Sequence, residues 1–206
     1  MTKGVLPIRI IICLLWLTAV GAGFGLLANY QATKGAVGET PEQWPTETRV
    51  VPESHGDTLL MFVHPKCPCT RASIGELNRL VARSGGNVAA QVWFFRPAGF
   101  SEQWTRSGLW QSAGAIPGVT THEDLDGAQA RQFGAQTSGY VLLYDTHGRL
   151  LFKGGITAGR GHAGDNAGED ALVSILAGET VRVRETPVFG CSLLGDCNAT
   201  TNDVSR

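Results

Sequence analysis

Charge is scarce in this chain. Asp, Glu, Lys and Arg make up 17% of its 206 residues, and 17 basic against 18 acidic side chains leave a formal net charge of −1. No basic stripe emerges, so there is no electrostatic ground for nucleic acid as a partner. Internal repeats and heptads are absent, which excludes solenoids and coiled coils. A Ser-His-Asp signature and a paired-carboxylate site are missing too, leaving hydrolytic chemistry without its usual groups. What remains is a hydrophobic content of 43%, enough for a packed core, and five cysteines whose placement carries the chemistry.

Residues 10–28 hold no charged side chain. Such a run approaches the roughly 20 residues that cross a bilayer as a helix. Lys3 and Arg9 precede it, and Glu39, Glu42 and Glu47 follow, with Lys34 the one basic residue soon after. That asymmetry predicts a single-pass membrane protein with its N-terminus inside and its bulk on the extracytoplasmic (in a bacterium, periplasmic) side. The reading favours residues 1–30 as an uncleaved anchor. The alternative is a cleaved signal peptide, for which residues 19–23 offer small side chains, although the apolar run continues through Phe24, Leu26 and Leu27. Cys13 reads as an apolar thiol of the membrane helix, since Ile12 is too large for a lipobox. Export leaves Cys67, Cys69, Cys191 and Cys197, an even number in a compartment where disulfides persist. Three pairings are possible, and the spacing alone does not choose.

Residues 31–57, with Pro41, Pro45 and Pro52, read as a spacer; residues 58–180 as the folded domain; residues 181–206 as a cysteine-containing tail. The apolar run Thr58-Leu59-Leu60-Met61-Phe62-Val63 predicts a strand. A helix over 70–83 follows, capped by Thr70, striped by Ile74, Leu77, Leu80 and Val81, and stopped by Gly85-Gly86. A strand over 88–95 completes a βαβ unit, predicting parallel strands and a right-handed crossover. A second helix is expected over 101–113, a short extended piece over 118–121 and a third helix over 123–133. Strands over 140–145 and 149–155 suit an antiparallel hairpin, and a helix over 169–177 ends at Gly178. The fold class is therefore α/β, a mixed sheet flanked by helices.

His64-Pro65-Lys66-Cys67-Pro68-Cys69 stands where the first strand meets the first helix of this domain. A helix N-terminus favours thiolate over thiol, and Lys66 and Arg71 should depress both cysteine pKa values further. Cys67, at the exposed mouth, is the expected attacking thiol; Pro68 stiffens the gap to Cys69. A Cys67–Cys69 disulfide would close a small strained ring and be easily reduced. His64, Cys67 and Cys69 also make a plausible Cu(I) set, because soft sulfur selects that ion.

The order of elements, with cysteines at the end of the first strand, resembles the thioredoxin-like fold over residues 58–177. The finer pattern is similar to bacterial membrane-anchored thioredoxin-like proteins of the RedB type. It rests on the motif at residues 64–69, the glycine-rich loop at 154–166 and Val188-Phe189-Gly190-Cys191. The resemblance implies a thiol–disulfide oxidoreductase acting through Cys67 and Cys69, needing no cofactor, with protein or small-molecule thiols and disulfides as partners. Two departures stand out. The family's Cys-x-x-Cys is Cys-x-Cys here, and Ser138-Gly139 replaces the Thr-Pro that packs beside the thiols and hinders metal binding. The copper-delivery branch carries a histidine just before the strand beginning at Tyr140. Thr137-Ser138-Gly139 has none, although His162 could approach from another loop. The further alternatives are a copper(I) chaperone and a domain that keeps the fold without redox activity.

Gly159-Arg160-Gly161-His162-Ala163-Gly164 matches a dinucleotide fingerprint by letters only, without the strand that should follow. It reads better as a close-packed loop bordering the thiols, with Arg160 and His162 as polar lining. For the tail, a local Cys191–Cys197 disulfide is slightly favoured, because short spacing keeps the two close. The alternative makes Cys191 a resolving thiol that folds back to Cys67 or Cys69.

Overall fold

The computed structural model describes residues 5–53, 56–85 and 88–194. The chain divides into two compact units, residues 1–33 and residues 34–206. The first is a helix, α1 (Val5–Ala32). Its stretch Ile8–Ala32 is 25 residues, long and apolar enough to cross a membrane.

In the second unit the chain forms β1 (Thr58–Val63), α2 (Thr70–Arg83), β2 (Ala89–Arg96), α3 (Glu102–Thr105), α4 (Gly108–Gly114), β3 (Val119–Leu125), α5 (Ala128–Gln132), β4 (Tyr140–Tyr144), β5 (Leu150–Gly154) and α6 (Ala167–Leu176). The sheet order is β3-β2-β1-β4-β5. β1 is parallel to β2 and antiparallel to β4, and β4 and β5 form the expected antiparallel pair. All six residues of β1 are buried, because each face of the sheet carries its own core. Leu59, Met61 and Val63 join Ile74, Leu77 and Leu80 of α2 and Leu172 of α6. Leu60 and Phe62 join Phe133, Tyr140, Leu142 and Tyr144. A strand buried on both faces needs an unbroken apolar run, and each large side chain so placed contributes about 2 kcal/mol.

Three expectations are corrected. The helix expected over 123–133 divides: its first residues belong to β3, which pairs in parallel with β2 from Ala90↔Val119 to Arg96↔Leu125. Asp126 and Gly127 then turn into the left-handed region, at φ 53° and 67°, which a continuous helix forbids. The buried Asp124 carboxylate accepts from the amides of Gln129 and Ala130, each at 2.8 Å, and so caps the short α5. The helix expected over 101–113 is two helices, broken where Arg106 and Ser107 leave helical backbone at ψ 57° and 176°. Ser107-Gly108 is a poor helix interior. Thr70 is the first residue of α2 rather than its cap.

The segment expected as a spacer lies in the second unit from Lys34 onward. Trp44 sits edge-on against Phe133 and Tyr144, with ring centroids 5.5 and 5.1 Å apart, and Val50 is buried. Backbone bonds tie the segment down: Gly38 N–H to the Gly134 carbonyl at 2.8 Å and Trp44 N–H to that of Gly148 at 2.7 Å. Beyond α6 the tail runs beside β5. Lys153 N–H donates to Arg184 O at 3.0 Å, and Thr186 N–H donates to Lys153 O at 3.2 Å.

Candidate functional site

β1 delivers its last residue to a tight loop. Cys67 N–H donates to the His64 carbonyl at 3.1 Å, which turns the chain and sets both cysteines at the start of α2. Ser138 holds this loop from across the sheet. Its Oγ accepts from His64 N–H at 2.9 Å and lies 2.9 Å from Thr70 Oγ1, which also donates to the His64 carbonyl at 3.2 Å. Gly139 N–H donates to Phe62 O at 2.8 Å. Gly139 has φ +93°, and a Cβ there would press on Ser73 Oγ. Ser138-Gly139 therefore does by hydrogen bonding and close approach what a rigid residue would do by shape.

Cys67, Cys69 and Cys191 form one cluster, their sulfurs all within 4.8 Å of one another. Cys67 and Cys191 are 2.8 Å apart, in hydrogen-bond contact. The tail thus supplies a sulfur partner for Cys67. Cys197, the other half of the favoured local disulfide, lies outside the described residues. Cys67 is not at an exposed mouth: it is 2% exposed and Cys69 8%.

The three thiols are not electrostatically alike. Burial opposes ionisation of Cys67, but it is outweighed by hydrogen bonds from the Cys191 thiol and from the amides of Cys191, Cys69 and Thr70, which hold Cys67 below the ordinary thiol range. Cys69 is pushed up, first by burial and then by the charge on Cys67, against the pull of Arg160. Cys191 is pushed up to about 12 by burial, by donating to Cys67 and by the nearby thiolates, again opposed by Arg160. The expectation of two depressed thiols is thus corrected: one thiolate at the helix start makes a second costly.

The other expected residues divide. Arg160 Nη1 donates to the Gly190 carbonyl beside the thiols. His162 is exposed, with Nδ1 3.2 Å from the Arg160 carbonyl. Lys66 reaches over the Trp104 ring, 5.7 Å from its centroid, and Arg71 is exposed beside Pro68. Neither cation is among the main influences on Cys67. His64 stacks on Phe95 at 5.7 Å and meets Trp104 edge-on at 5.5 Å, and its Nδ1 accepts from Lys66 N–H at 3.1 Å. Burial and Lys66 hold its pKa down. The cluster offered to a soft metal is therefore three sulfurs, with Cys191 where the sequence suggested His64.

The sequence reading missed the strip that brings Cys191 in. Residues 191–193 lie antiparallel to 136–138: Thr137 pairs with Ser192, Ser138 N–H donates to Cys191 O at 2.9 Å, and Leu193 N–H to Gln136 O at 2.8 Å. The apolar side chains flanking Cys191, Phe189 and Leu193, spaced at the period of a strand, were the available signal.

No protein-family model matches the chain, and no curated protein sequence does. Solved structures do. A hypothetical protein of Sinorhizobium meliloti is similar at 20% identity and TM-score 0.55, over 81% of this chain and 98% of its own. An uncharacterized conserved protein of Geobacillus kaustophilus is similar at 18% identity and TM-score 0.55, over 81% and 94%. A secreted Mycobacterium tuberculosis disulfide oxidoreductase aligns at 16% identity and TM-score 0.43, over 60% and 81%. With a mixed sheet ordered β3-β2-β1-β4-β5 and helices on its faces, this chain has a thioredoxin-like fold.

Proposed function

We propose that the protein is a membrane-anchored, extracytoplasmic thiol–disulfide oxidoreductase of the RedB type, with Cys67 as nucleophile. The observation that carries this reading is the contact of the Cys67 and Cys191 sulfurs at 2.8 Å, with the Cys67 thiol held below its ordinary range. A thiolate held by hydrogen bonds, with a protonated thiol against it, is one half of an exchange pair. The Cys67 thiolate attacks one sulfur of a partner disulfide, forms a mixed disulfide and expels the partner's other sulfur as thiolate. Cys191 or Cys69, losing its proton to solvent, then attacks Cys67 Sγ. The new bond is internal to the chain, and the partner leaves as a second thiolate. Two electrons pass from the chain to the partner, and no cofactor takes part. Partners are protein or small-molecule thiols and disulfides.

Burial of Cys67 also suits a domain that keeps the fold without the chemistry. Trapping separates the two. With Cys69→Ser and Cys191→Ser, mixed disulfides that depend on Cys67 should accumulate on the cell surface; their absence rejects the exchange reading. The three-sulfur cluster favours one second reading, a Cu(I)-binding chaperone holding the ion through Cys67, Cys69 and Cys191.

A further inference from the structure

The tail beside the thiols has two parts. Residues 184–188 are fixed: they bond to Lys153 on β5, Thr186 Oγ1 donates to Gly155 O at 2.7 Å, and the Val188 carbonyl accepts from Gly35 N–H at 2.8 Å. Residues 190–193 form a tip, paired to residues 136–138 by two backbone bonds and by the side chain of Leu193, 1% exposed within the core face that holds Phe62 and Phe95. Gly190 passes so close that a Cβ there would collide with the Ser138 carbonyl oxygen. A cleft of about 470 Å³ opens alongside, lined by Gln136, Thr137, Arg160, Gly190 and Ser192 among others.

We propose that residues 136–138 are a docking strip for an extended polypeptide segment of the pattern glycine–cysteine–any residue–apolar, filled in cis by Gly190-Cys191-Ser192-Leu193 and opened to a partner segment of the same pattern when that tip leaves. The inference deepens the reading of Cys67 as an exchange nucleophile and rests on it. The chemistry of recognition is on the page. Strand pairing supplies affinity without sequence preference, and pockets at alternate positions supply specificity. The position before the cysteine admits no Cβ, the cysteine meets Cys67, the next side chain faces solvent, and the fourth is buried. Two backbone bonds, the Arg160 bond to the Gly190 carbonyl, the thiol contact and one leucine hold the tip, fewer ties than fix residues 184–188 to β5 and the core, so the tip can exchange with a competitor while the rest of the tail stays in place. A Cys67–Cys191 disulfide, formed when a partner disulfide takes two electrons as above, would hold the tip on the strip and close it. Attack by Cys69 on Cys67 Sγ would break that bond, form Cys67–Cys69 and free Cys191 as thiolate, reopening the strip.

The test uses the full chain in detergent with Cys13→Ser, Cys69→Ser, Cys191→Ser and Cys197→Ser, leaving Cys67 as the sole thiol. The probes are the peptide Val-Phe-Gly-Cys-Ser-Leu, one with valine in place of its glycine and one with aspartate in place of its leucine, each carrying its cysteine as a mixed disulfide with thionitrobenzoate. Dithiobis(nitrobenzoate) is the small control. Attack by Cys67 on the peptide sulfur releases coloured thionitrobenzoate. The matched peptide should react at least tenfold faster than the other two. If the control reacts and all three peptides react alike, the docking strip is refuted and the exchange chemistry stands. If the control also fails, the exchange chemistry itself is refuted. Adding Leu193→Asp, which removes the tip's apolar hold, should raise the matched peptide's rate; no rise in a folded protein would count against occupation in cis. Should that variant not fold, the three-peptide comparison still decides.

Discussion

Cys67 and Cys191 meet sulfur to sulfur, at 2.8 Å, across 124 positions of sequence. After burial, each is the largest influence on the other's proton. Cys67 ionises readily because Cys191 and nearby amides donate to it, and Cys191 holds its proton because of burial and because it donates to the Cys67 thiolate.

The first consequence is a pH profile. Alkylation of reduced protein by iodoacetamide, followed by peptide mass spectrometry, should show Cys67 reaching half-maximal rate below the ordinary thiol midpoint of about 8.5. Cys191 should stay unmodified at neutral pH. Cys191→Ala removes a donor and moves the Cys67 midpoint up. An unchanged midpoint would mean that the Cys191 contact does not set the thiolate.

Stability of the reduced domain follows the same protons, with opposite signs. Cys67 is depressed in the folded state, so its contribution is present above about pH 8.5 and lost as pH falls through the folded value. Cys191 is raised to about 12, so the unfolded chain ionises first and stability declines from about pH 8.5 towards 12. Urea midpoints for Cys191→Ala should therefore decline less than wild type between pH 8.5 and 10.5. Parallel declines would contradict the assignment.

Glu76 is a fully buried carboxylate on α2, and it holds the glycine-rich loop. It accepts from Arg79, from Gly164 N–H at 2.9 Å and from Asn166 Nδ2 at 3.5 Å. Glu76→Ala leaves these donors without their acceptor and should cost about 2 kcal/mol or more. Hydrogen exchange at Gly164 should quicken, and the urea midpoint should drop. Exchange at Gly164 matching wild type would show that the loop does not depend on Glu76.

Asp124→Ala should fray α5 and cost about 1–2 kcal/mol, the usual loss for a helix cap. Asp124→Asn, which keeps one acceptor oxygen, should lose less. Thermal unfolding with amide exchange at Gln129 and Ala130 distinguishes a lost cap from general destabilisation.

The second reading has its own measurement. Anaerobic titration of reduced protein with Cu(I), against a competing chelator, should give one tight equivalent if three sulfurs hold the ion. Cys191→Ser should weaken it at least tenfold and His64→Ala should leave it unchanged. No stoichiometric binding rejects the chaperone reading.

Much of the fold was legible because burial leaves a pattern. β1 had to be apolar throughout, and β4 and β5 announce themselves by Tyr140-Val141-Leu142-Leu143-Tyr144 and the turn at Gly148. β3 was not legible. Thr120-Thr121-His122-Glu123-Asp124 is a polar edge, and an aspartate ahead of Ala-Gln-Ala looks like a helix beginning wherever the turn falls. The prolines of residues 31–57 suggested a spacer, while Trp44 and Val50 carried the opposite message. At the site, Cys67 and Cys69 could be placed by their position between strand and helix. The approach of Cys191 stood only as the alternative reading, a thiol folding back to Cys67 or Cys69, because spacing along the chain favours Cys197. The charges of Lys66 and Arg71 suggested what would set the thiols; hydrogen-bond donors lower Cys67 instead, and burial leads the rise of Cys69 and Cys191.

The course of Arg184 to Thr186 beside β5 means that the tail shields a sheet border as well as carrying a cysteine. Without it, Lys153 would present free backbone groups along the β5 edge, an invitation to strand-to-strand association with another molecule. A chain shortened before Arg184 would thus lose two safeguards together, one against wrong pairing of backbones and one against wrong pairing of sulfurs.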